Sequence, residues 1–265
     1  MHTLTLVSLM SDNARPLYRA LADYLGARLG LPVRLAEETW QEQQGMLDAG
    51  AADLAFLCGL LYTQRAERLE LLAAPVPAAP RYHNRPIYFS DVIVPRESSF
   101  ASFENLRGAR WAFNDPGSFS GYALLRAQLA DLGEAGYFCG ALAESGGHMR
   151  SLALVAGGGA DAAAIDSLVL DLARARDPEL AAQVRVVAAL GPSPIPPAVA
   201  GRHVPAALRE RLRNALLGLH ADPAGRAALA IGQIARFTAV ADRDYDDIRA
   251  KARRAESVEL VVRSL

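Results

Sequence analysis

"GMLDAGAADLAFLCGLLY" (residues 45–62) and "LALVAGGGADAAAIDSLVL" (residues 152–170) share one order of parts. Each runs from the end of an apolar helical pattern through glycine to Ala-Asp and a short apolar strand. A small or polar pair follows, Cys58-Gly59 in the first and Asp166-Ser167 in the second, and then another apolar helix begins. The glycine suits the left-handed backbone that closes a helix. Two similar α/β lobes explain the echo more simply than chance in an alanine-rich chain.

The flanking sequence extends the same alternation. "LTLVSLM" (4–10) reads as a strand and leads into "SDNARPLYRALADYLGARLG", where Leu17, Leu21, Leu25 and Leu29 recur every four residues. Ser11, Asp12 or Asn13 can cap that helix and Gly30 can close it. "LPVRLAEE" reads as a second strand, "WQEQQGMLDAG" as a second helix and "ADLAFL" as a third strand. Strands separated by helices of this length imply βαβ units and a mainly parallel sheet.

Two extended stretches are expected to cross between the lobes. "YFSDVIVPRESS" (88–99) ends in a polar loop after Pro95, and "LGPSPIPPAVAGRHV" (190–204) holds four prolines that exclude helix. The expected division is 1–92 with 198–265 as lobe one and 93–197 as lobe two. Such a two-strand hinge permits closure over a ligand.

Composition narrows the function. The chain has 265 residues, 51% hydrophobic and 22% charged, with a net charge of -1 and a pI near 6.5. A general attraction to nucleic acid or to anionic membranes is not expected. No basic arm, heptad run, low-complexity tract or spanning helix is read, and two cysteines make neither a disulfide framework nor a metal site. Cys58 and Cys139 sit in apolar runs ("LAFLCGLL", "YFCGAL") and read as small buried hydrophobes. No metal and no cofactor is expected. "MHTLTLVSLM" lacks a basic n-region and is too short for a signal peptide, so it reads as a first strand behind an initiator Met. Two locations stay open: cytoplasmic, or periplasmic after removal of a leader.

In open parallel sheets a ligand lies beyond the carboxyl ends of the strands. Lobe one supplies Ser11-Asp12, Thr39-Trp40 and Cys58-Gly59 there. Lobe two supplies Asp115 to Gly121, Glu144 to His148, and Asp166-Ser167. Hydroxyls, one histidine and a few aromatics are therefore expected to face a common cleft almost without Lys or Arg. In "WAFNDPGSFSGYALLRAQLADLG" (111–133), Ser118, Phe119 and Ser120 stand where a helix begins. Unpaired N–H donors, the positive helix end and two hydroxyls suit an anion. Each hydrogen bond to a charged ligand oxygen contributes about 1.5–3 kcal/mol, so three or four supply micromolar binding of about 8 kcal/mol after association costs. "SGGHMRSLALVA" brings His148 to a second helix start. Plainer roles stand beside these: Ser118 or Ser120 as an N-cap, His148 and Asp166 as capping residues, Trp40 and Tyr88 as packing aromatics.

On these residues the chain resembles the periplasmic phosphonate- and phosphite-binding components of ABC transporters, a branch of the type II periplasmic-binding-protein superfamily. The most specific stretch is "NDPGSFSGY", similar to the family's Asp-Pro-x-Ser-Thr-Ser-Gly. "DLAFLCGLLY", "IYFSDVIV", "GGHMRSLALVAGGGADAAAID" and "IPPAVAGRHV" support it in order and spacing. The resemblance implies a periplasmic solute receptor, a monomer, that closes on a small oxyanion and delivers it to a transporter permease. It implies that Ser118, Ser120 and His148 grip the oxygens and that Trp40 and Tyr88 from the first lobe cover the ligand. Phe119 stands where the family has threonine and Trp40 where it has tyrosine. Leu168 and "IPP" replace the acidic residues of aminoalkylphosphonate binders, with Asp166 the nearest remaining carboxylate. A smaller or more apolar anion is expected.

No Walker loop, metal cluster or recognisable nucleophile constellation is read, and "SFSG" departs from Gly-x-Ser-x-Gly. A receptor without catalysis is the first expectation. A cytosolic enzyme of cofactor biosynthesis on the same bilobal fold, or a ligand-sensing domain, is the alternative.

Overall fold

The computed structural model describes residues 3–134 and 138–260. Met1, read as the initiator, and Tyr137 of the run around Cys139 lie outside the described residues. The chain opens with β1 (Leu4–Leu9), α1 (Arg15–Leu29), β2 (Val33–Leu35), α2 (Trp40–Asp48), β3 (Leu54–Leu57), α3 (Gly59–Thr63) and β4 (Leu69–Pro77). The middle holds β5 (Ile87–Pro95), β6 (Arg110–Phe113), α4 (Leu124–Asp131), β7 (Ala141–Glu144), α5 (His148–Ala156) and β8 (Ala162–Asp166). After these come α6 (Ser167–Arg176), α7 (Pro178–Ala182) and β9 (Val184–Pro194). The last part is β10 (Ala198–Gly201), α8 (Ala206–Gly218), α9 (Pro223–Ile231), β11 (Ile234–Thr238) and α10 (Asp246–Ala255).

Two compact units divide the chain. One comprises the residues up to Ile87 with Pro194–Asp246, the other Tyr88–Ser193 with the residues from Asp247 onward. The chain thus passes between units three times rather than the expected two, and its end belongs with the middle segment rather than with the first lobe. Polar contacts hold it there. Lys251 Nζ donates to Pro192 O and to Ser193 Oγ, each at 3.1 Å, and Arg126 Nε donates to Val258 O at 2.7 Å. A terminal amphipathic helix carries no local mark of which surface it will cover, which is why periodicity did not assign it. Tyr88 to Val92, expected in lobe one, likewise belong to the second unit.

The first unit is built on a six-stranded sheet in the order β11-β4-β10-β3-β1-β2. β1 pairs in parallel with β2 and β3, while β10 runs antiparallel between β3 and β4 and β11 runs antiparallel to β4. Helix α1 buries Leu17, Leu21, Leu25 and Leu29, the four leucines of its periodic stripe. Its start lacks a side-chain cap bond and carries Pro16 in the first turn, whereas Gly30 closes it with φ 65°. Tyr18 meets Phe56 at 4.8 Å between ring centres, joining α1 to the sheet.

The second unit has a five-stranded sheet, β7-β6-β8-β5-β9. β6 is parallel to β7 and β8, and β5 is antiparallel to β8. Ile93, Ala112, Leu152, Val155, Ile165, Val169 and Leu170 form its buried core. The two repeated stretches take equivalent courses in the two units. α2 and α5 end before Gly50 (φ 70°) and Gly158 (φ 73°), β3 and β8 follow, and α3 and α6 begin at once. Both cysteines are partly rather than fully buried, and burial pushes the Cys139 thiol up to about 12.

Candidate functional site

Parallel pairing sets Phe113, at the end of β6, opposite Glu144, at the end of β7. Antiparallel pairing sets Ser90 of β5 opposite Asp166, the last residue of β8. The segments that leave these strands therefore emerge at one edge of the second unit's sheet, and Tyr88, Ser118, Phe119, Ser120, His148 and Asp166 all belong to that edge.

After β6 the chain turns on Asp115, whose Oδ1 accepts the Gly117 N–H at 2.9 Å and whose carbonyl accepts the Ser118 N–H at 3.2 Å. Ser118 then caps a helical run that continues into α4, its Oγ accepting the Gly121 N–H at 3.1 Å. The first turn is widened: Ala123 N–H bonds Ser118 O and Leu124 N–H bonds Phe119 O, five residues back in each case. A widened turn leaves more N–H groups at the helix start without an intrahelical acceptor than a regular one does.

Ser120 Oγ lies 3.2 Å from His148 Nε2, and Ser120 O accepts the Ser90 hydroxyl at 2.6 Å. His148 is the first residue of α5, delivered by Gly146 (φ 78°) and Gly147. Ser145 fixes that loop, its Oγ lying 3.0 Å from both Phe113 O and Gly147 O and 2.7 Å from Ser151 Oγ. Gly121 is where these pieces converge. A β-carbon there would stand 1.8 Å from Asn114 Oδ1 and 3.1 Å from His148 Cε1, so only glycine lets the two side chains approach the turn.

The cluster is buried and uncharged. Ser118, Ser120, Asn114 and His148 are each exposed by 9% or less. Burial lowers the His148 pKa to about 4, so the ring is neutral at pH 7, with one nitrogen a donor and the other an acceptor. His148 Nδ1 and Asn114 Oδ1 are buried without a hydrogen-bond partner among the described residues. Leaving such atoms unpaired costs about 1–3 kcal/mol each, so each of the two calls for a physical reason.

The remaining candidates divide. Asp166 caps α6, accepting the Leu168 N–H at 2.8 Å. Its pKa is raised to about 7, chiefly by burial, with Asp91 and Asp171 adding to the rise against bonds from the Leu168 and Val169 N–H groups. Tyr88 is buried on β5, two residues before Ser90 and on the same strand face. Phe119 is fully buried. Trp40 begins α2 in the first unit and is half-buried behind a capping box between Thr39 and Glu42. The sequence puts Gly121 at the ligand edge without a role of its own and gives no place there to Asn114 or Ser90. Asn114 and Gly121 flank the Ser-Phe-Ser stretch, and their part follows from the close approach at the turn rather than from residue type.

Comparisons with known proteins bear on the family and the fold. A family model described as "ABC transporter, phosphonate, periplasmic substrate-binding protein" matches residues 7–245. Among solved structures the chain is similar to a binding protein component of an ABC phosphonate transporter from Pseudomonas aeruginosa. There the TM-score is 0.85 and the identity 18%, over 96% of this chain and 86% of that one. It is also similar to PhnD1 from Prochlorococcus marinus in complex with methylphosphonate, with TM-score 0.83 and 17% identity over 97% of this chain and 99% of that one. A Xanthomonas citri protein bound to ATP has TM-score 0.74 and 21% identity over 97% and 99%. These likenesses show the α/β fold of type II periplasmic binding proteins. No curated protein matches the sequence.

Proposed function

The chain belongs to the family of periplasmic phosphonate-binding proteins of ABC transporters, and from that premise we propose that its second unit holds a small oxyanion, a phosphonate, phosphite or phosphate, at the start of the helical run from Phe119. The observation that carries the proposal is the buried pairing of Ser120 Oγ with His148 Nε2 at 3.2 Å, set beside a helix start whose first N–H groups have no intrahelical acceptor. Oxygens of the anion accept from those N–H groups and from the Ser120 hydroxyl, with the positive helix end adding attraction. Ser118 orients the turn through its bond to Gly121 N–H and so serves the ligand through geometry.

A binding role without catalysis is favoured by the state of His148. Its Nδ1 has no partner among the described residues, so the Ser120–His148 pair lacks the orienting carboxylate of a Ser-His-Asp triad. The small residues and hydroxyls of the edge suit a compact anion. The receptor reading places the protein in the periplasm, handing its ligand to a permease. No helix among the described residues is long and apolar enough to cross a membrane.

Two measurements test the proposal. Phosphite, phosphate or methylphosphonate at one hundred times its dissociation constant should stabilise the protein by about 2.7 kcal/mol, a rise of several degrees in Tm. A flat thermal-shift screen across these anions would count against the whole class. Ser120→Ala should weaken the Kd roughly tenfold or more, about 1.4 kcal/mol, in a variant that still folds. Unchanged affinity with lowered stability would make Ser120 a structural residue only.

A further inference from the structure

The charge of the guest is constrained by the groups around the Ser120–His148 pair. On the helical run itself Phe119, Ser120, Gly121 and Tyr122 are uncharged. The turn after β6 contributes Asp115, whose pKa is raised by burial and by Glu144, and the end of β8 contributes Asp166. The cation on α5 is Arg150, exposed, with its guanidinium lying over Gly146. A helix start offers only roughly half an elementary positive charge. A doubly charged guest in this buried place would have only that partial charge to offset it, with the Asp115 carboxyl bonded to Asn114 opposing its second charge.

Asn114 adds a directional argument. Its Nδ2 donates to Asp115 Oδ2 at 2.9 Å, and that bond decides which way the amide faces. Oδ1 is the atom turned toward Gly121 and His148 Cε1, and it is buried with no hydrogen-bond partner among the described residues. C–H groups of the turn are weak substitutes for an N–H or O–H donor. An amide oxygen only accepts, so a fully ionised oxyanion gives it nothing to bind, whereas a protonated one offers P–O–H.

We propose that the site takes its oxyanion in the singly charged, protonated form, with Asn114 Oδ1 accepting the P–O–H hydrogen, which makes Asn114 the residue that selects the ligand's charge state. This rests on the oxyanion-receptor reading above. It predicts that affinity falls as pH rises through the ligand's second ionisation, because free ligand must take up a proton to bind.

The experiment titrates the full chain with methylphosphonate, and in parallel with phosphite, from pH 5.5 to 8.5, and records the 31P spectrum of the bound ligand. The expected result is a Kd that rises about tenfold per pH unit above the second ionisation of the free ligand, with a bound 31P shift that stays at the monoanion value. That shift reads the ligand directly, so titration of Asp166 in the same range does not imitate it. Asn114→Leu should weaken binding at pH 6 roughly tenfold and flatten the pH dependence. Binding as the dianion, or a Kd that is flat or falls with pH, overturns the proposal while leaving the oxyanion receptor standing. Absence of binding by either anion at every pH overturns both.

Discussion

Asp166→Asn should stabilise the protein at pH 8 by on the order of 3 kcal/mol and make it more sensitive to acid than the parent. The parent carboxyl is buried and titrates near 7 against an ordinary value of 3.8. Its folded pKa is raised, so its contribution is fully present below about 4 and is lost as pH climbs through 7. At pH 8 the folded protein therefore carries a buried carboxylate beside Asp91 and Asp171. Asparagine removes that charge and keeps the cap on α6, because Asn and Asp cap comparably. His148 behaves in the opposite sense. Burial holds it near 4 against an ordinary 6.5, so its contribution is present above 6.5 and is lost as pH falls toward 4. At about 1.4 kcal/mol for each tenfold, the two opposed contributions come to about 4 kcal/mol for Asp166 and about 3 kcal/mol for His148. In the parent they offset one another between pH 4 and 7. Urea midpoints at pH 8 and pH 5 check this. A variant no more stable than the parent at pH 8 would mean that Asp166 is ionised at little cost.

Gly121→Ala should lower stability by roughly 1–3 kcal/mol and weaken oxyanion binding by more than tenfold. The added methyl would stand 1.8 Å from Asn114 Oδ1 and 3.1 Å from His148 Cε1. Neither side chain can yield freely. Asn114 is held by Asp115, and moving His148 separates it from Ser120. Gly147→Ala is the control in the same region. A methyl there meets nothing within 4 Å, and its φ of 170° is extended backbone open to any residue, so a change within about 0.5 kcal/mol is expected. Equal losses in the two variants would show that the crowding at Gly121 is not the cause.

What could be read from the sequence was local. The leucines of α1, the glycines that end α2 and α5, and the helix start at Ser118 follow from spacing and from the backbone needs of single residues. So did the gathering of Ser118, Ser120 and His148, since parallel strands bring their carboxyl ends to one edge. Sequence periodicity was silent wherever a partner came from afar. Asn114 reads as an ordinary turn residue until Gly121 is packed against it. Ser90 lies in an apolar strand, and its bond to the carbonyl of Ser120 depends on β5 lying beside β8. The ownership of α10 depends on Lys251 reaching Pro192 and Ser193, contacts that span 59 and 58 residues in sequence.

The antiparallel strand β10 lies between β3 and β4, and this bears on how the molecule is made. A growing polypeptide on the ribosome has β3 and β4 in hand early, yet the strand that joins them is not translated until after all five strands of the second unit's sheet. The later-starting unit therefore has its full set of strands first. The earlier one waits with two unjoined strand edges exposed, and those edges are where chaperone capture, or misassembly with a neighbouring nascent chain, would strike.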